Sequence, residues 1–230
     1  MKDRRSNRRR RERTEREPRE PRLDDDDDDE EEDDDDEEDV EQPQGKAVDE
    51  GRMAEKFLKA RTILISETIT SEMARRVLQN LILFESEDPE KLITIILNSP
   101  GGEADTGFGI YDMIRFVRPP VRVIVSGLCA SAAVMVFLAA DRDHRLSLPN
   151  SRFLLHQPSS ASFGQASDLE IASREILKLR DRYNEIVAHE TGRTLERVTE
   201  DSDRDFWMSA LEAKEYGLVT QVITKREELD

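Results

Sequence analysis

The chain has 230 residues, a formal net charge of −17 and 36% hydrophobic residues, enough for one large domain or two small ones at roughly 100–200 residues each. Residues 24–39 are sixteen consecutive acids, residues 1–22 carry eleven Lys/Arg against five Asp/Glu, and residues 51–230 hold 23 basic and 28 acidic side chains, so the chain-wide acidity belongs mostly to the first 48 residues. The single cysteine, Cys129, excludes an internal disulfide framework and a cysteine-based structural zinc site, and fits a reducing cytoplasm.

In chain order, the like-charge blocks repel themselves and offer nothing to bury, so residues 1–48 read as a disordered tail. No apolar segment follows the basic start, which excludes a secretory signal, and interspersed glutamates disfavour a transit peptide. The globular part is expected over 49–230. Residues 53–60 (MAEKFLKA) predict a short helix and 61–66 (RTILIS) a strand. Thr70 or Ser71 is placed to cap a helix whose apolar positions Met73, Val77, Leu78, Leu81, Ile82 and Phe84 recur at helical spacing. Residues 92–97 (LITIIL) form a continuous apolar strand of the type covered on both faces, running into Asn98-Ser99-Pro100-Gly101-Gly102.

A helix over about 105–117 and a strand over 121–127 follow, then a helix after Ser131. That last apolar stretch, 128–140, is too short for a bilayer, which needs about 20 residues. Strands are expected near 144–147 and 152–156, a polar loop over 157–166, and a long helix over 167–190. Its apolar stripe holds Leu169, Ile171, Ile176, Leu177, Leu179, Ile186 and Val187. Helices over 195–201 and 209–217 and a strand over 218–223 complete the chain. Alternating strands and helices predict an α/β fold with a largely parallel sheet.

Three positions could carry chemistry. Ser131 lies between Ala130 and Ala132 at a helix start. Its hydroxyl can cap the helix, or stand unobstructed beside a free helix-end N–H able to receive an oxyanion. Gly101-Gly102 after a buried strand permits positive φ and a close backbone approach to a ligand oxygen, though an ordinary tight turn needs the same residues. Of the histidines, His144 sits among charges and His189 on the exposed side of the long helix, whereas His156 ends an apolar strand facing a loop. A serine–histidine pair needs a third group to orient the imidazole; Asp168, Asp181, Asp201, Asp203 and Asp205 are all candidates, and spacing does not choose among them.

The stretch ILNSPGGEADTGFGIYDMIRFVRPPVRVIVSGLCASAAVMVFLAADRDHRLSLPNSRFLLHQPSS, continued by GQASDLEIASREILKLRDRYNEI and ETGRTLERVTEDSDRDFWMSALEAKEYGLV, resembles the ClpP family, the proteolytic subunit of the Clp protease. The likeness covers about 57–224. By motif it implies Ser131 as nucleophile, His156 in LPNSR-x-x-x-HQP as base and Asp205 in DSDRD as the orienting acid. It implies oxyanion-hole N–H groups on Gly102 and Ala132. It also implies a ClpP/crotonase-like spiral of ββα units, with a protruding handle formed by the loop and long helix at 157–190. The assembly implied is a homo-oligomer of two stacked heptameric rings, with Arg204 linking assembly to an active triad. No metal or organic cofactor is required.

An AAA+ unfoldase such as ClpX or ClpA is the implied partner, and peptides or unfolded proteins the substrates. Two departures weaken the unfoldase expectation. The charged tail replaces the usual pore-loop segment, and Thr94 and Ile96 stand where aromatic docking residues are usual. The activity expected is therefore that of a self-compartmentalised, cytoplasmic serine endopeptidase. A non-catalytic ring subunit paired with another paralogue is the alternative, and a crotonase-like acyl-CoA enzyme ranks last because it has no use for the three triad residues.

Overall fold

The structure, a computed structural model, describes residues 44–159 and 163–229, with only the backbone path given for 44–50. The tail expected over 1–48 thus lies outside the described residues except at its end, where helix α1 (Gln44–Lys59) begins. This helix extends N-terminally past the expected 53–60, because Lys46, Ala47 and Glu50 are sound helix formers despite the lack of an apolar stripe.

Strand β1 (Thr62–Ile65) leads to α2 (Ser71–Glu87), where Thr70 is the cap and its hydroxyl accepts from the Met73 N–H. Of the apolar positions expected on α2, Met73, Val77, Leu81 and Phe84 are buried and Leu78 is partly so, whereas Ile82 is exposed. Strand β2 (Ile93–Ser99) and α3 (Ala104–Phe116) follow, then β3 (Val121–Ala130) and the short α4 (Ala132–Leu138). All seven residues of α4 are buried, so the helix lies inside the core, and its unbroken apolar sequence has that cause.

Strands β4 (Arg145–Ser147) and β5 (Arg152–Leu155) precede α5 (Ala166–Thr191), α6 (Leu195–Asp201), β6 (Phe206–Ser209), α7 (Ala210–Tyr216) and β7 (Gln221–Val222). The strand expected over 218–223 shrinks to two residues, because the N–H groups of Leu218 and Val219 turn back to the Ala213 carbonyl and close α7. Strand β6 has no counterpart in the sequence reading: its residues FWMS follow an acidic run and show no clear alternation.

The sheet runs β1-β2-β3-β4-β7, all parallel. Strand β3 is long enough to serve two neighbours: Val123–Val125 pair with β4, and Leu128–Ala130 pair with β5. Beyond β5, β6 pairs antiparallel, with Leu155 opposite Phe206 and Arg152 opposite Ser209. The core lies between the sheet and α2, α3 and α4.

The apolar stripe of α5 is only partly internal. Val187 is fully buried, but Leu169, Ile171 and Leu177 in its N-terminal half are exposed. Among the described residues, no helix is long and apolar enough to cross a membrane.

Candidate active site

The C-terminal ends of β2 and β3 lie side by side, with Ser99 in register with Cys129, and both strands stop at tight turns. Ser131 sits where β3 gives way to α4, at φ 56° and ψ −125°, a strained region for a non-glycine residue. It occupies the N-cap position of α4, but its side chain caps nothing. Its carbonyl accepts from Val134 N–H and, at 3.4 Å, from the Tyr183 hydroxyl on α5, while its N–H donates to Leu154 O. The backbone is tied down, and the hydroxyl has no hydrogen-bond partner among the described residues.

The neighbouring turn has glycines for a steric reason. A Cβ on Gly101 (φ 91°) would come within 2.7 Å of Ser131 Cβ and 2.5 Å of Ala130 O. One on Gly102 would meet Ile69 O at 2.2 Å. Ile69 clamps the turn, donating to Gly101 O at 2.8 Å and accepting from Glu103 N–H at 3.0 Å. The N–H groups of Gly102 and Ala132 find no hydrogen-bond acceptor among the described residues. They are two free donors beside the Ser131 hydroxyl.

His156 follows β5 directly, and Asp205 directly precedes β6. Because β5 and β6 pair with Leu155 opposite Phe206, His156 and Asp205 stand at the next rung of the same ladder. The Nδ1···Oδ1 distance is 3.3 Å. The rung is held open by Gln157, whose N–H donates to Ser202 O and whose amide Nε2 donates to Asp203 O.

The other aspartates weighed from sequence are engaged elsewhere. Asp201 accepts from Arg197 and Tyr216, Asp181 from Arg180, and Asp203 from Gln157. Asp168 lies beside Gly164 at the start of α5. Arg204 is nearly fully exposed, with its Nε 3.8 Å from Asp203.

Ser131, Ala132, Gly102 and His156 line one cavity of about 400 Å³, walled by Phe108, Met135, Ile176, Leu179 and Tyr183. Among the described residues, no hydrogen bond joins the Ser131 hydroxyl to the His156 ring. The structure therefore brings the serine and histidine to one cavity and the aspartate to the far side of the histidine. The sequence reading had no signal for Glu103, which lines the same cavity, nor for Tyr183, which bonds the Ser131 carbonyl.

Cys129, two residues before Ser131, is fully buried, and burial pushes its thiol well above the ordinary range. It stays a neutral thiol and packs as a small hydrophobe.

An α/β chain with its candidate residues at the ends of parallel strands fits many enzymes; comparison with known proteins narrows the class. The chain belongs to the Clp protease family, whose model matches residues 45–226. It is 43% identical over 189 residues to the ATP-dependent Clp protease proteolytic subunit 3 of Rhizobium etli, covering 82% of this chain and 94% of that protein. To the proteolytic subunit 2 of Treponema pallidum it is 46% identical over 175 residues, covering 76% and 88%. A solved structure of a ClpP1 point mutant from Listeria monocytogenes superposes with a TM-score of 0.72 at 40% identity, over 77% of this chain and 99% of that one. The fold is therefore of the ClpP/crotonase type.

Proposed function

We propose that the chain is a serine endopeptidase subunit of a Clp-type protease. The observation that carries this reading is the single cavity lined by Ser131 and His156, with Asp205 at 3.3 Å on the outer nitrogen of that histidine. In the proposed reaction, Ser131 Oγ attacks a peptide carbonyl and His156 Nε2 takes its proton. Asp205 fixes the ring with Nδ1–H toward the carboxylate and stabilises the imidazolium. The oxyanion is received by the Gly102 and Ala132 N–H groups, each donor contributing on the order of 3 kcal/mol. His156 then protonates the leaving amine, activates water against the acyl-enzyme and returns the proton to Ser131.

The serine and histidine are not hydrogen bonded in the single chain, and catalytic contacts of this kind commonly tighten only in the working complex. Assembly is the proposed trigger. The exposed Leu169, Ile171 and Leu177 on α5 and the exposed Arg204 next in sequence to Asp205 fit a subunit whose rings stack through the handle. In that assembly two heptameric rings enclose the site, and a lone subunit is inactive.

An unfoldase of the ClpX or ClpA kind is the proposed partner. The support is an apolar groove of about 490 Å³, lined by Met53, Phe57, Leu92, Ile96 and Ile124, which persists although Thr94 and Ile96 replace aromatic residues. A cytoplasmic location is proposed with it, in keeping with a buried free thiol at Cys129.

Fluorophosphonate labelling of the purified oligomer tests the central claim. An adduct on Ser131 that disappears in Ser131→Ala is expected. An oligomer without that adduct would favour a non-catalytic ring subunit.

A further inference from the structure

The cavity beside Ser131 is lined by Ala104, Phe108, Met135, Ile176 and Leu179, with Ser159, His156 and Tyr183 among its polar residues and, among the described residues, Glu103 as its one acidic member. Glu103 follows the Gly102 turn and sits at the N-cap position of α3, yet its side chain makes no cap hydrogen bond. Instead Oε2 accepts from Thr106 Oγ1 at 2.6 Å and from Ser71 Oγ at 2.8 Å. These hydroxyls, Thr106 foremost, hold the carboxyl below its ordinary range, so it is ionised throughout neutral pH. Among the described residues, no cationic side chain pairs with it. The guanidinium of Arg182, which stacks on the wall residue Phe108, pairs with Asp112 instead.

A fixed anion on a residue that lines a cavity with Ala104, Phe108, Met135 and Leu179 in its wall matches one kind of side chain. Lysine and arginine carry a long aliphatic stem that covers apolar surface and a cation at its tip. The stem would lie along Ala104, Phe108, Met135 and Leu179, and the charged head would reach Glu103. Charge-assisted hydrogen bonds of this kind are about twice as strong as neutral ones.

We propose that Glu103 is a specificity-determining residue, and that the cavity beside Ser131 selects the lysine or arginine side chain of a peptide substrate. This inference rests on the serine peptidase reading above.

The test uses internally quenched peptides identical except at one residue, which is lysine or its neutral counterpart norleucine, or arginine or its counterpart citrulline, with cleavage sites mapped by mass spectrometry. With the assembled full chain at low salt, the expected kcat/KM ratio of each basic peptide to its neutral counterpart is about tenfold or more. Salt should lower the ratio. Glu103→Gln keeps an oxygen for Thr106 and Ser71 but removes the charge, and should bring the ratio close to one; Glu103→Lys should invert it. Ratios near one in the native chain, or ratios unchanged in Glu103→Gln, overturn the proposal while leaving peptidase activity intact. If no peptide is cleaved but Ser131 reacts, the same ratio is read from labelling rates of peptidyl phosphonates bearing lysine or norleucine. No cleavage together with no Ser131 adduct overturns both readings.

Discussion

At the scale of single residues, the site depends on groups whose positions are fixed by their neighbours. In the proposed mechanism Asp205 acts only through His156, so Asp205→Asn preserves shape but offers an N–H where the imidazole needs an acceptor. A fall in kcat of about 10⁴ is expected, with Ser131 labelling slowed in parallel. Gly101 is a different case. Any side chain there collides with Ala130 O and Ser131 Cβ, and at φ 91° it also carries backbone strain of about 1–3 kcal/mol. Gly101→Ala should lower the melting temperature clearly at fixed protein concentration and abolish labelling. Gly109→Ala, on α3 where an added Cβ would meet no neighbouring atom within 4 Å, should leave stability unchanged or raise it by up to about 1 kcal/mol. Equal effects from the two substitutions would contradict the close-packing account of the turn.

At the scale of elements, Arg145 on β4 closes two helices at once. Its guanidinium donates to Leu138 O and Ala140 O at the end of α4 and to Glu190 O near the end of α5, and it forms an ion pair with the Glu190 carboxylate. Burial pushes that carboxyl up, but hydrogen bonding and charge from Arg145, with help from Tyr111 and Arg115, bring it below its ordinary value of 4.5. The Tyr111 hydroxyl is itself pushed up to about 12, chiefly by burial and the Glu190 charge. A carboxyl lowered by folding stabilises the fold above its unfolded value and loses that contribution as the pH falls through the lower folded one. Melting temperature should therefore decline below about pH 4.5 in the native chain. Glu190→Gln should be destabilised by about 3 kcal/mol at pH 7, because Arg145 stays buried without its counter-charge, and its decline in acid should be shallower. A parallel pH curve for the two proteins would exclude Glu190 as a contributor.

How much of this was legible in sequence follows from which forces set each element. Helix α2 announced itself through a capping threonine and a 3.6-residue apolar period, and β2 and β3 through β-branched runs, because local preference and burial agree there. Strand β6 did not, since its single antiparallel neighbour, β5, is supplied by distant sequence. That omission is why spacing alone left five aspartates open: apart from the family motif, what brings Asp205 within 3.3 Å of His156 is a ladder rung that no local period announces. Ser131 was equally ambiguous, because a cap and an uncommitted hydroxyl share one sequence pattern and differ only in backbone angles. The exposure of the N-terminal half of α5 was not legible in its apolar stripe, because periodicity does not say which partner covers it; only the family resemblance pointed to a protruding handle.

At the scale of the whole molecule, the charged N-terminal segment and the family domain separate in sequence at about residue 44, where α1 begins. The match to the Clp protease family starts at residue 45. Removing residues 1–43 is therefore expected to leave oligomer size and the rate of short-peptide cleavage within about twofold of the full chain, as read by light scattering and a fluorogenic peptide. Loss of the oligomer would assign the segment a part in assembly.

The antiparallel pairing of β5 with β6 has a consequence for folding fidelity. A slip of one residue between these strands would turn Met208, now buried, toward the outside and draw in Trp207, which now stacks against Arg152. The same slip would set either Arg204 or Phe206 opposite His156 in place of the carboxylate. A chain trapped in that register would hold every residue of the proposed triad and still face its imidazole with a cation or a ring. Under the proposed chemistry, an active subunit is therefore one whose last antiparallel pair has closed in the right frame, and catalysis reports on the correctness of folding far from the nucleophile's own turn.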